Sequence, residues 1–350
     1  MKYNVIGDIH GRTCWKDLVI SDGVNIFVGD YFSPYDKSYD FEHCKKNFLE
    51  IIEFKKQHPE TVLLIGNHDE ECWHFAEFIE GCVRYNHLEG NKKEIHDLFE
   101  SNKQYFQMAY SAGNEYLVTH AGVSAIWLWR TYNQVVYGMK AYDLPLNYHR
   151  MDYPEAQKYK YFQTAYVNQE KYQAKLIEKQ NSYINKDVDD DLRKLLERHY
   201  KEYENIIAYW KGSWWQPKYK PGTNELVRKN GFIKFCKFNI ETPDEVEQIV
   251  NMLWHRDPVL FSWKAGADRN DAWGNSVSQS PIWIRPPEVF EANIFKDTPY
   301  RQVVGHTRWW EDKGIHTESW TEDDRKIKEI VFTDCLQVKQ ESFIFEAGEK

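Results

Sequence analysis

Aspartate, histidine and asparagine recur along this chain at points where a short apolar run gives way to glycine. The first case is Asp8 and His10, which lie in Gly7-Asp-Ile-His-Gly directly after the apolar run Lys2–Ile6. Side chains two residues apart in an extended segment lie on the same side, so Asp8 and His10 can reach one ligand together. Taken alone, the pair has an ordinary explanation as a turn and a hydrogen-bonded histidine. If similar polar residues elsewhere in the chain converge on this pair, the pair belongs to a binding site.

Four further polar clusters follow in order along the chain. They are Gly29-Asp30, Gly66-Asn67-His68-Asp69, His120-Ala121-Gly122 and Gly305-His306-Thr307. The apolar runs before them are 25–28, 61–65, 115–118 and 301–304. All five runs are short and rich in β-branched residues, which predicts buried strands. Average composition gives Gly-Asp-x-His-Gly alone in only about one of several hundred chains of this length, so the set indicates a shared site.

Carboxylate, amide oxygen and imidazole together suit divalent metals such as Mn, Fe or Zn, whereas a thiolate site would require cysteine. An aspartate can bridge two such ions. Two ions roughly 3.5–4 Å apart can hold a hydroxide between them and clamp a phosphoryl group for in-line attack. The residue types therefore predict a metal centre that acts on phosphate esters.

The strands alternate with helical patterns, which predicts a layered α/β fold. Asp40 is the predicted N-cap of a helix whose apolar stripe begins at Phe41. In such folds ligands gather beyond the carboxyl ends of the strands, where all five clusters fall. Residues 154–215 are rich in Lys, Glu, Gln and Tyr, and Thr242 to Glu245 form a capping box that starts another helix.

Composition limits the location and the partners. The sequence has no apolar run long enough to span a membrane, and because the first residues enter a predicted strand at once, we expect no signal peptide. The net charge of −9 argues against a nucleic-acid binder that works by phosphate neutralisation. The six cysteines include no Cys-x-x-Cys pair, which is typical of reduced thiols. We therefore expect a cytoplasmic protein.

The five clusters resemble the motifs of the calcineurin-like metallophosphoesterases, and more closely those of their phosphoprotein-phosphatase branch. The resemblance covers residues 1–124 and about 281–345. It implies a four-layer α/β/β/α sandwich. The middle of the chain is not covered by the resemblance, and its helical patterns predict a mainly helical insertion or cap over residues 150–260 within a single domain, 1–350. The resemblance further implies two divalent metal ions, of which Mn is favoured over Fe or Zn.

The resemblance also implies a role for each matching residue. Asp8 and His10 would hold the first metal, and Asp30 would bridge the two ions. Asn67, His120 and His306 would hold the second metal, and His68 would be the general acid that protonates the leaving alkoxide. Many other family members carry Gly-His-x-His in the last motif, whereas this chain has Arg308 at the second histidine. That difference favours the phosphoprotein-phosphatase branch.

Phosphate binding is expected to differ from the family pattern. Residues 280–286 resemble the segment in which bacterial members of the branch place an arginine on the substrate phosphate, which implies that role for Arg285. The second motif usually continues Gly-Asp-x-x-Asp-Arg-Gly, but Ser33 and Pro34 occupy the Asp and Arg positions. Loss of the orienting carboxylate should lower the pKa of His68. Arg12 is expected to be an exposed loop residue.

Three functions remain open at this point. The first is a phosphomonoesterase similar to serine/threonine protein phosphatases, with direct attack by a metal-bridging hydroxide on a phosphorylated protein or small molecule. The second is a phosphodiesterase acting on a nucleotide, dinucleoside polyphosphate or nucleic acid at the same site, with nucleic acid the least supported. The third is a catalytically weak scaffold in which the metals are structural and the insertion binds a protein.

Overall fold

Two five-stranded sheets form the centre of this computed structural model. The structure describes residues 1–74, 89–113, 115–137, 190–199, 218–219, 226–227, 242–266, 274, 276–295, 298–309, 314–322 and 325–348. The strands within these ranges are β1 (Lys2–Ile6), β2 (Val24–Phe27), β3 (Val62–Leu64), β4 (Phe106–Gln107), β5 (Ala109–Ala112), β6 (Tyr116–Thr119), β7 (Lys218–Tyr219), β8 (Leu226–Val227), β9 (Arg301–Val304), β10 (His316–Glu322), β11 (Arg325–Phe332) and β12 (Phe343–Glu346).

The described helices connect and cover these strands. They are α1 (Trp15–Leu18), α2 (Phe41–Gln57), α3 (Asn67–Trp73), α4 (Lys92–Ser101), α5 (Ala125–Tyr137), α6 (Asp190–His199), α7 (Pro243–Arg256), α8 (Trp263–Gly266) and α9 (Glu288–Glu291). Single 3₁₀ turns occur at Glu89–Asn91, Lys103–Tyr105 and Pro258–Phe261. No helix in the described ranges is long and apolar enough to cross a membrane.

The strand order brings the carboxyl ends of several parallel strands together. The first sheet has the order β12-β1-β2-β3-β4, in which β1 to β4 are parallel and β12 is antiparallel. The second sheet has the order β10-β11-β9-β6-β5, in which β11, β9 and β6 are parallel. Each polar cluster predicted from the sequence follows a strand of one of these two parallel sets.

The two sheets share a hydrophobic core. One buried cluster combines residues of the first sheet, such as Val5 and Ile26, with Val118, Val303 and Val331 of the second. Side chains alternate across a strand, so the next residue along each strand points to the opposite face of the sheet and packs in another cluster. Phe27 and Leu63 thus pack with Phe48 and Ile51 of α2, which covers the outer face of the first sheet.

The predicted α/β class is confirmed. All five predicted strands are present, with ends within one residue of those expected. Asp40 caps α2 by accepting a hydrogen bond from His43 N, and Thr242 and Glu245 form the capping box of α7. The order of the four layers and the domain limits stay predictions, because most of residues 150–260 lies outside the described residues.

Candidate metal centre

The loops after the parallel strands bring the predicted ligands to one place. Asp8 and His10 follow β1, Asp30 follows β2, and Asn67 begins α3 just after β3. His120 and His306 follow β6 and β9 of the second sheet in the same way. His10, Asp30 and His306 have φ values of 46°, 55° and 60°, a conformation that is unfavourable for residues other than glycine. Such backbone strain is concentrated at functional sites, where the surrounding fold maintains it.

Asp8, His10 and Asp30 form the first half of the centre. One ligand atom from each lies within 4.8 Å of the others, and their side chains are at most 2% exposed. His10 Nε2 lies 3.9 Å from Asp8 Oδ2 and 3.6 Å from Asp30 Oδ2. His10 Nδ1 lies 2.9 Å from the carbonyl oxygen of Ser33. A carbonyl only accepts, so Nδ1 carries the proton and the Nε2 lone pair faces the two carboxylates.

Asn67, His120 and His306 form the second half. Asn67 Oδ1 lies 2.9 Å from His120 Nε2 and 3.0 Å from His306 Nδ1. His120 Nδ1 donates to the carbonyl oxygen of Val28 at 2.7 Å, and His306 Nε2 donates to that of Trp283 at 3.2 Å. The lone pairs of His120 Nε2 and His306 Nδ1 therefore face the amide oxygen of Asn67.

Asp30 lies between the two halves. Its Oδ2 is 3.6 Å from both His10 Nε2 and His120 Nε2. Its Oδ1 accepts a hydrogen bond from His68 N at 3.0 Å, which fixes the carboxylate in place. Of the six predicted ligands, Asp30 alone contacts an imidazole of each half through one oxygen, which is the position that a bridging carboxylate requires.

The donor set fits divalent cations. Lone pairs of imidazole, carboxylate and amide groups point at one another over 2.9–3.9 Å with no proton between them. Such acceptor-to-acceptor contacts in a buried site are unfavourable unless a cation lies among them. Imidazole with its second nitrogen bonded to a carbonyl is the usual arrangement of a histidine ligand. Asp8, His10 and Asp30 would hold one ion, and Asp30, Asn67, His120 and His306 a second.

Two glycines leave room for the carboxylates. A Cβ at Gly305 would lie 2.1 Å from Asp8 Oδ1, and a Cβ at Gly66 would lie 2.1 Å from Asp30 Oδ1. We expect Gly305→Ala to displace the Asp8 carboxylate and to weaken Mn²⁺ binding by about 10- to 100-fold, the usual cost of disturbing a metal ligand.

Isothermal titration of the metal-free protein with Mn²⁺ measures this loss. Gly90→Ala is the matched control, because a Cβ there would contact nothing within 4 Å. Equal Mn²⁺ affinity in the Gly305→Ala variant and the wild type would show that Asp8 is not a metal ligand.

Asp69 holds the site loops together. Its Oδ2 accepts from Asp30 N at 2.6 Å and Gly66 N at 3.0 Å, and its Oδ1 accepts from Tyr31 N at 2.9 Å. Burial raises the pKa of Asp69 to about 7, against the opposing effect of these N–H donors. The carboxylate thereby joins the loop after β2 to the start of α3, and so sets the distance between Asp30 and Asn67.

Arginines and a further carboxylate surround the predicted ligands. Arg285 Nη1 donates to the carbonyl oxygen of His306 at 3.0 Å, so its guanidinium lies beside the second half. The prediction that Arg12 is an exposed loop residue is wrong. It is 9% exposed, and its Nη1 donates to the carbonyl oxygens of Asp8 and Ile9. Burial, followed by the charge of Asp334, raises the pKa of Asp8.

His68 lies next to the first half of the centre. Its ring centroid is 5.5 Å from that of His10. Burial, followed by the charge of Arg285, lowers the pKa of His68 to about 4. The direction agrees with the sequence prediction, but the leading cause is burial. Asp36, in the exposed part of the loop after β2, accepts from Ser38 N at 2.9 Å.

Three residues near the centre carry no role predicted from the sequence: Asp69, Asp334 and Tyr35. Asp334 follows β11 two residues after Phe332, so it obeys the same strand-end pattern as the other clusters and that signal could have identified it. Asp69 is within the quoted Gly-Asn-His-Asp motif. Tyr35 has no sequence signal, since its position depends on the path of the loop after β2.

Comparison with known proteins bears on the same region. Residues 1–177 match the family of calcineurin-like phosphoesterases. No curated protein matches the chain. A solved structure, a serine/threonine phosphatase from Saccharomyces cerevisiae with similarity to human phosphatase PP5, is 22% identical with a TM-score of 0.26. The match covers 36% of this chain and spans 39% of that protein's length.

The family match extends from Met1 through β1, β2, β3 and β6, and so includes five of the six residues that converge on the candidate centre. It covers more than half of the 350 residues. This chain belongs to the calcineurin-like phosphoesterase family.

Proposed function

We propose that this protein is a metal-dependent phosphomonoesterase of the serine/threonine phosphatase type. The observation that supports it most is Asp30, whose one oxygen lies 3.6 Å from an imidazole of each half of the centre. Two divalent ions held there, Mn²⁺ being favoured, would polarise the phosphoryl oxygens and lower the pKa of water. The substrate would be a phosphorylated protein or small molecule.

The residues around the centre have distinct roles in this proposal. Arg285 would bind the phosphoryl oxygens, because its guanidinium lies beside His306 and can offer parallel N–H groups. His68 would protonate the leaving alkoxide. Its lowered pKa keeps the ring neutral until an anion is bound, and the dianionic phosphate would then raise that pKa toward neutrality.

The last motif supports a monoesterase over a diesterase. Arg308 occupies the place where many family members carry a second histidine ligand, and its side chain donates to Gln337 at the surface. The first ion would therefore keep only Asp8, His10 and Asp30 as protein ligands. The chain is proposed as one domain over 1–350, with a core of 1–124 and 281–345 and the insertion at 150–260.

Hydrolysis of 4-nitrophenyl phosphate and of its bis-ester, after chelator treatment and addition of Mn²⁺, tests the proposed function. The monoester is expected to turn over at least about 10-fold faster, since it has three free phosphoryl oxygens, against two in the bis-ester, that the bound ions and Arg285 would stabilise. Faster cleavage of the bis-ester would establish the phosphodiesterase alternative instead. No turnover of either ester by protein that binds Mn²⁺ would favour the scaffold alternative.

A further inference from the structure

The loop after β2 takes a path that depends on Ser33 and Pro34. The carbonyl oxygens of Phe32 and Ser33 accept from His10 Nδ1 at 3.2 and 2.9 Å, so the loop is attached to the first half of the centre. Ser33 has a φ of 62°, which turns the chain sharply. Pro34 is buried, and its Cβ lies 3.6 Å from where a Cβ at Gly11 would be.

This path places Tyr35 against His10, a predicted ligand of the first half. Its ring centroid lies 4.6 Å from that of His10, with 58° between the ring planes. His68 also contacts His10, at 5.5 Å between centroids. Tyr35 is 55% exposed although it touches a buried imidazole. The side chain therefore forms part of the rim of the site, where a substrate would enter.

Tyr35 and Arg285 offer donors to the two halves of the centre. The ring of Tyr35 lies against His10 of the first half, and its phenol hydroxyl can donate a hydrogen bond to an anion. Arg285 Nη1 donates to the carbonyl oxygen of His306, so the guanidinium lies beside the second half.

We infer that Tyr35 is a substrate-binding residue whose hydroxyl donates to a phosphoryl oxygen and works together with Arg285. This inference rests on the proposed function. Tyr35 would supply the second phosphate contact that Pro34 cannot make at the family's arginine position. The phenol is neutral, whereas the family's arginine is a cation. The site therefore offers the phosphate dianion one positive charge fewer and binds it in part through a hydroxyl.

Inorganic phosphate is the probe for this contact. We expect Tyr35→Phe, which keeps the ring on His10 and removes only the hydroxyl, to raise the Kd of phosphate for the Mn²⁺-loaded protein about 10-fold. Mn²⁺ affinity, measured by isothermal titration, should stay within twofold of the wild type. In hydrolysis of 4-nitrophenyl phosphate, the loss should appear in kcat/KM.

Two further variants keep the test decisive. Tyr300→Phe is the matched control, because Tyr300 packs edge-on against Phe295, 5.5 Å between centroids, just before β9, whereas His306 follows the other end of that strand. It should bind phosphate as the wild type does. Tyr35→Ala removes ring and hydroxyl together, and should weaken phosphate binding at least as much as Tyr35→Phe.

A phosphate Kd for Tyr35→Phe within twofold of the wild type would overturn the inference. If Tyr35→Ala alone weakened binding, the ring would be a packing element and the hydroxyl role would be wrong. Failure of the proposed function looks different. The wild type would then hydrolyse neither ester or cleave the bis-ester faster, while the phosphate titrations of the Mn²⁺-loaded proteins would still decide whether Tyr35 binds the anion.

Discussion

Asp30→Asn is expected to lower turnover of 4-nitrophenyl phosphate about 1000-fold, which corresponds to about 4 kcal/mol of transition-state stabilisation. The physical reason is the position of this carboxylate. Its Oδ2 lies 3.6 Å from both His10 Nε2 and His120 Nε2, so it serves both halves of the centre. An amide of the same shape is neutral and can coordinate through only one oxygen. Steady-state kinetics at saturating Mn²⁺ measure the loss.

The matched control for this variant is Asp36→Asn. Asp36 lies six residues later, is exposed, and accepts from Ser38 N within its own loop. We expect its turnover to stay within twofold of the wild type. Substantial Mn²⁺-dependent activity in Asp30→Asn, above about a tenth of the wild-type value, would mean that Asp30 does not bridge the metals.

His68→Gln should have the second large effect, and that effect should depend on the leaving group. An alkyl phosphate expels a strongly basic alkoxide, so loss of the general acid should cost about 100- to 10,000-fold. 4-Nitrophenolate leaves without protonation, so hydrolysis of its phosphate should fall by less than about 10-fold. Parallel assays with 4-nitrophenyl phosphate and a phosphoserine peptide measure the difference.

Two controls separate the acid role from damage to the site. Mn²⁺ binding should be unchanged in His68→Gln, because the backbone N–H of residue 68 still donates to Asp30 Oδ1. His58→Gln, at a surface histidine beside Glu60, should leave both activities unchanged. An equal loss on both substrates would show that His68 acts on binding or metal position and not on the leaving group.

The site residues that could be predicted are those marked by a pattern in the residues next to them in the sequence. Each predicted ligand follows a short β-branched run and a glycine, and parallel strands bring such positions to one edge of a sheet. The strands around Asp8, Asp30 and His306 could therefore be located within one residue. The N-cap at Asp40 and the capping box at Thr242 are likewise signals contained in four consecutive residues.

The parts that the sequence could not predict depend on tertiary contacts. Tyr35 reaches the rim because His10 holds the carbonyl oxygens of Phe32 and Ser33, a contact across 22 and 23 residues. Arg12 was expected in solvent, yet the loop after β1 folds back and its guanidinium lies on the carbonyl oxygen of Asp8. Neither outcome is encoded in spacing or in composition.

The most direct test of a two-metal centre is the number of ions that the protein binds. Chelator-treated protein would be titrated with Mn²⁺, with ions per chain counted by native mass spectrometry and turnover of 4-nitrophenyl phosphate measured at each step. A site built from both halves predicts two ions per chain, with turnover that rises as the second ion binds. One ion per chain at saturation would contradict the two-metal centre, and two ions without turnover would contradict its proposed phosphatase activity.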